Sequence, residues 1–201
     1  MAHSNHPETA SPAKPQARTA PLGARFRRDE SGATAVEFGM IAIPFLTLIF
    51  AIMETAMMFW TSQVLEDAVT QTSRRLLTGE SHAQYANAST ATADFKRDLC
   101  ANATILVDCD KVTIDVRSYA SFAGAGSGTA ASNPVNNGAL STAGFGYNQP
   151  QPAQIVVVRA VLEYPIMLTG WNSALVTLGT DRRAIIASTT FRTEPYVVTA
   201  Q

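Results

Sequence analysis

Residues Ala33–Trp60 read ATAVEFGMIAIPFLTLIFAIMETAMMFW, and the sixteen positions from Phe38 to Met53 carry no charge and one hydroxyl, Thr47. As an α-helix those sixteen residues rise about 24 Å and the whole stretch about 42 Å. These lengths bracket the ~30 Å hydrocarbon core of a bilayer. Glu37 and Glu54 stand at the two ends of the apolar run, and Trp60 is placed like an aromatic anchor at a membrane surface. The reading is a transmembrane helix over residues 33–60. Pro44 leaves the carbonyl of Met40 without its usual donor, which a membrane helix tolerates with a kink. Ala35 and Gly39 form a small-xxx-small pair that would let a second helix approach closely.

On the N-terminal side, residues 1–32 are rich in Pro, Ala, Ser and Thr and have no apolar period, so they are expected to be a disordered leader. Five basic residues lie in it: Lys14, Arg18, Arg25, Arg27 and Arg28. Beyond Trp60 the first basic residues are Arg74 and Arg75. The positive-inside rule therefore places the N-terminus in the cytoplasm and residues 61–201 outside it. The near-neutral total, 15 Lys+Arg against 16 Asp+Glu, divides into +2 for residues 1–32 and −3 for the remainder. Neither part offers the basic face that nucleic acid requires.

On the C-terminal side, Val64, Leu65, Ala68, Val69, Thr72 and Leu76 recur at helical spacing, and Gly79 can end that helix. The membrane helix is expected to continue into this amphipathic stretch. Thr90–Leu99 reads as a second short helix. Lys111–Tyr119 alternates Val112, Ile114 and Val116 with Thr113, Asp115 and Arg117, the period of a strand. Gln154–Tyr164 and Ala184–Thr193 are apolar and β-branched, with Leu175–Leu178 as a further candidate strand. Residues 122–153, dominated by Gly, Ser, Asn, Ala and Pro, read as a long flexible loop. The expected fold is α+β: a long helix packed on a small antiparallel sheet of three or four strands, with residues 61–201 forming an extracytoplasmic domain.

Cys100 and Cys109 have eight residues between them. In an oxidising compartment a structural disulfide is the expectation, since neither CxxC spacing nor a nearby histidine supports a redox or metal role. Asp108, Asp110 and Asp115 cluster around the second cysteine, without the Gly and terminal Glu of a calcium loop, and read as a solvated acidic turn. The three histidines, His3, His6 and His82, assemble into no catalytic motif, and no phosphate loop or nucleophile elbow is present. The chain is expected to be neither an enzyme nor the holder of a cofactor or metal.

One junction has chemistry of its own. In Arg27-Arg28-Asp29-Glu30-Ser31-Gly32-Ala33-Thr34-Ala35-Val36-Glu37-Phe38 a basic leader meets a glycine, and five residues later a carboxylate opens the apolar helix. An acid at that depth points to a specific partner. Were the chain cut after Gly32, the new amine of Ala33 would lie one to two turns from Glu37 and could pair with the Glu37 of a neighbouring helix. The other reading is that Glu37 complements the positive end of its own helix dipole. The residues alone leave both open.

The segment ESGATAVEFGMIAIPFLTLIFAIMETAMMFW resembles the N-terminal signature of TadE-like pseudopilins of the tight-adherence pilus system. VLEDAVTQTSRRLLTGE continues the resemblance, and FRTEPY (Phe191–Tyr196) is similar more loosely. Similarity thus covers Asp29–Gly79 and the end of the chain, while residues 80–180 carry no matching motif; TadF- and TadG-like relatives share the helix. The resemblance implies cleavage by a prepilin peptidase after Gly32, Ala33 as the mature N-terminus, and Glu37 as an assembly residue. It also implies a single-pass protein of the bacterial inner membrane with a periplasmic C-terminal domain. Its expected partners are the peptidase, other pilin helices, the inner-membrane assembly platform and lipid. The contrasting possibility is an uncleaved bitopic anchor that presents a partner-binding domain.

Overall fold

The computed structural model describes residues 32–80, 82–103, 106–167 and 173–196. Apart from Gly32, the expected leader lies outside the described residues. Two compact units are distinguished, Met1–Thr47 and Leu48–Gln201. In the first, the described residues are helical and expose their side chains almost throughout.

Helix α1 runs from Ala33 to Leu77 without a break, passing through Pro44 and through the expected boundary at residues 60/61. Its C-terminal half buries Met58, Thr61, Leu65, Ala68, Val69, Thr72, Ser73 and Leu76. That spacing of three and four residues is the stripe by which a helix covers a sheet. Thr61 and Thr72 hide their hydroxyls by donating to the carbonyls of Met57 (2.9 Å) and Ala68 (2.8 Å), four residues back. Gly79 stops the helix in the left-handed region, φ 75°, where a Cβ would also meet the ring of Tyr196 at 2.3 Å.

Helix α2 (Ala91–Asn102) buries Ala91, Phe95 and Leu99. Its Asn102 amide donates to Thr72 Oγ1 on α1, 3.1 Å. Strand β1 (Val112–Tyr119) follows. The stretch expected as a loop instead begins with helix α3 (Phe122–Ser127), whose Ser121 side chain accepts from the Gly124 N–H. It continues into a small hairpin of β2 (Val135–Asn136) and β3 (Ala139–Leu140). Long strands β4 (Ile155–Pro165) and β5 (Arg182–Arg192) complete an antiparallel sheet of order β1-β4-β5. Leu178 adds only an isolated bridge to Arg182, so the main sheet has three strands.

The registers Val116↔Val158 and Val158↔Thr189, continued without a bulge, decide the two faces. Val112, Ile114, Val116, Val156, Val158, Ala160, Leu162, Ile185 and Ala187 join the stripe of α1 and the apolar residues of α2 in the main core. On the opposite face run the rows Asp115–Arg159–Ser188 and Arg117–Val157–Thr190. There α3 and the turn after it place Ala125 and Ala130 over Ile155 and Val157, with Tyr119 alongside.

Tyr85, Phe95 and Tyr147 form an edge-to-face aromatic cluster, with centroids 5.6–6.1 Å apart. Tyr85 donates to Asp98 Oδ2 at 2.6 Å. Burial first, then this hydrogen bond, pushes the Tyr85 hydroxyl above the ordinary tyrosine range. Burial does the same to Tyr147.

Candidate functional site

The N-terminal part of α1 carries the sites expected from the sequence. Gly32 directly precedes the helix, Ala33 is its first residue, and Glu37 lies one turn on, about 6 Å along the axis. All three are exposed. A Cβ at Gly32 or at Gly39 would meet nothing within 4 Å, so packing inside the described chain does not require a glycine at either place. Gly79, by contrast, is held by both backbone and packing.

The two glutamates at the ends of the apolar run differ. Glu54 accepts a short hydrogen bond through Oε1 from the N–H of Met167, just past β4. Among the described residues no group pairs with Glu37. Between them the helix is apolar on all sides: Phe38 is 73% exposed, and Met40, Ile41, Ile43, Phe45, Leu48 and Phe50 are likewise uncovered. A helix of this kind requires an apolar surrounding. By length and composition it can cross a membrane. Thr47 and Thr55 donate to the carbonyls of Ile43 and Ala51, both at 2.8 Å, and so expose no free hydroxyl donor to such a medium. Met58 is the first residue of the run to be buried by the sheet domain, while its neighbours Phe59 and Trp60 are exposed.

The expected disulfide is present. Cys100 in the last turn of α2 joins Cys109 at the head of β1, with Cα atoms 6.1 Å apart. It closes a loop of sequence separation nine. Replacing both cysteines by serine is expected to lower the unfolding free energy by about 2.5–3 kcal/mol in the chain-entropy account. Urea titration of the two proteins in the same detergent measures this.

The acidic turn needs correction. Asp108 is exposed and caps the turn Cys109–Lys111 by accepting from the Asp110 N–H at 3.1 Å. Asp115, however, is 1% exposed. Its Oδ2 accepts from Arg159 Nη2 at 3.1 Å, and its Oδ1 from Arg117 Nε at 2.8 Å and the Gly146 N–H at 3.2 Å. Arg159, 4% exposed, also donates to the Ser132 carbonyl at 2.7 Å and lies over the ring of Phe145, 4.7 Å from its centroid. Sequence reasoning missed this cluster. The alternation of β1 put Asp115 opposite the main core, and nothing local announced that residues 122–153 fold back over that face. The one available signal was Arg159, a charge set between Val158 and Ala160 in the apolar run of β4.

The arrangement holds no catalytic constellation among the described residues, and no group of three or more His, Cys, Asp or Glu there could hold a metal ion. What it defines is an α+β protein built on a helix that is bare and apolar at its N-terminal end and packed at its C-terminal end. The family model for TadE-like protein matches residues 32–74, which begin at the glycine before α1 and end within it. Over that stretch the chain is TadE-like, and the match points to a protein of the Tad pilus system. No curated protein matches the chain, and no solved structure does.

Proposed function

We propose that this protein is a minor pilin or pseudopilin of a Tad-type pilus, acting in pilus biogenesis and adhesion. It enters the bacterial inner membrane with its N-terminus in the cytoplasm and its C-terminal domain in the periplasm. A prepilin peptidase hydrolyses the Gly32–Ala33 bond, releasing the basic leader and leaving an ammonium group on Ala33. The observation that carries this reading is the contrast between the two glutamates. Glu54 is held by its own chain through Met167, whereas Glu37, exposed one turn from the cleavage position, pairs with no described group. A charged carboxylate at the edge of a bilayer calls for a partner, and the Ala33 ammonium of an adjacent helix supplies one. The open space around Gly32 agrees with a glycine that serves recognition rather than packing.

The test is immunoblotting and N-terminal sequencing of the membrane protein from cells with and without the peptidase. The expected result is a mature chain beginning at Ala33, lost in the peptidase-null strain and in Gly32→Leu. Glu37→Leu is expected to insert and be cut normally yet give at least tenfold fewer surface pili. An intact leader in cells that contain the peptidase overturns the processing step and makes the protein an uncleaved bitopic anchor. Normal piliation of Glu37→Leu would return that residue to a dipole partner.

A further inference from the structure

The two edges of the main sheet are treated differently. On β1, the outward-facing groups of Val116 are both taken: its N–H donates to the Gly146 carbonyl (2.8 Å), and its carbonyl accepts from the Asn148 N–H (2.9 Å). On β5, Arg182 exchanges both of its backbone bonds with Leu178, at 2.9 and 3.2 Å, and so directs them away from β4. In an antiparallel ladder that direction alternates residue by residue, and the β4–β5 register has no bulge to break the alternation. Ala184 keeps to it, donating outward to Thr177 Oγ1 at 2.9 Å, while Thr193 donates inward to Gln154 at 2.9 Å. The N–H and C=O groups of Ile186, Ser188, Thr190 and Arg192 therefore point outward, and among the described residues no backbone group meets them. All four residues are exposed. Open edges are normally blunted by proline, bulges or a covering segment; among the described residues β1 is met at its centre, Val116, whereas β5 is met only at its start, Arg182 and Ala184, and not from Ile186 onward.

The side chains of the same four residues rise on the face away from α1, beside a groove of about 700 Å³ lined by Phe122, Ala130, Pro134, Val157, Ile186 and Ser188. Phe122 is 63% exposed there. Charge on this face is unbalanced. Arg117 and Arg159 share the single carboxylate of Asp115. Arg192 donates to the Ala153 carbonyl rather than to an acid. Only Arg182 has a carboxylate largely to itself, Glu163 at 2.9 Å. Strand β5 itself, RRAIIASTTFR, contains three arginines and no acid.

We propose that the free edge of β5 takes an additional antiparallel or parallel strand from another protein, an extended segment that carries acidic residues. Main-chain bonds to Ile186, Ser188, Thr190 and Arg192 supply affinity, alternate side chains enter the groove, and carboxylates meet Arg192 and the arginine excess beneath it. A second copy is disfavoured as occupant, because it would bring to this edge a strand with no carboxylate of its own. The proposal is independent of leader cleavage.

Amide hydrogen exchange on the full chain in detergent micelles tests it, with a defined probe: a peptide of alternating valine and threonine bearing a glutamate at each end. At saturation the amides of Ile186, Ser188, Thr190 and Arg192 are expected to slow at least tenfold, while those of Ile185, Ala187 and Thr189 stay as they were. Ser188→Pro removes an outward N–H that β4 does not use, so it should leave the fold intact and weaken the peptide tenfold or more. Arg192→Glu should weaken the same peptide without touching the backbone edge. No selective protection overturns the proposal, as does equal binding of a peptide with lysines in place of the glutamates. Concentration-dependent protection of the four amides without peptide overturns the choice of partner in favour of a second copy.

Discussion

Asp115→Ala is expected to lower the unfolding free energy by about 4 kcal/mol, one of the two largest single-residue effects in the chain. Removing one member of a buried ion pair costs roughly 3–5 kcal/mol because the other charge is left without its counter-ion. Asp115 accepts three bonds, from Arg117, Arg159 and the Gly146 N–H. Its loss strands a guanidinium that is 4% exposed. Arg159→Met is expected to cost less, about 3 kcal/mol, since Asp115 keeps Arg117 and Gly146. Asp115→Ala combined with Arg159→Met should recover much of the loss, because both charges leave together. Urea unfolding of the four proteins measures the cycle, and strict additivity of the single losses in the double variant would contradict the coupling. A second signature is spatial: Gly146 is joined to Asp115 and Ser132 to Arg159. Protease cleavage between residues 128 and 148 should therefore accelerate in the single variants well below the unfolding midpoint.

This cluster also marks where sequence reading stops. Periodicity reports which face of an element is apolar, and where an element is long enough the answer is secure. Leu65, Ala68, Val69, Thr72 and Leu76 were legible as the buried side of α1, and β1, β4 and β5 ended within two residues of their expected bounds. The disulfide was legible because two cysteines so near each other leave few alternatives. Residues 122–153 were not legible, since their structure comes from contacts distant in sequence rather than from propensity. Tyr119 packs so closely on Gly128 that a Cβ there would lie 2.5 Å from the ring. Tyr147 bridges to Val116, and Phe145 meets Arg159. A Gly- and Ser-rich composition predicts a loop in the absence of such partners. For the N-terminal site the position is reversed. Gly32, Ala33 and Glu37 make no contact in the described chain that explains them, so the sequence pattern is more informative than the fold. Helix α1 unites both cases, with its N-terminal half written for an apolar surrounding and its C-terminal half for a sheet.

Those two halves should fail separately, and Phe95→Ala is the substitution that parts them. Phe95 is fully buried and packs edge-to-face on Tyr85 at 5.7 Å and against Tyr147 at 6.1 Å. It thus locks α2 to the turn before it and to the segment that bridges to β1 at Val116. Truncating a buried phenylalanine costs about 3–5 kcal/mol through lost transfer free energy and the cavity left behind. Here the cavity is flanked by rigid rings that cannot collapse into it, which places the cost near 4 kcal/mol. Phe95→Leu keeps most of the volume and should cost only about 1–1.5 kcal/mol. No residue between Phe38 and Met53 belongs to the core that Phe95 supports, so membrane retention should be unchanged in both variants. The expected result is a Phe95→Ala protein that still sediments with membranes and resists carbonate extraction, while trypsin degrades residues 61–196 at least tenfold faster than in the parent. Loss of membrane retention together with protease resistance would show that the helix depends on the domain for its placement, contrary to the apolar surface it carries on every side.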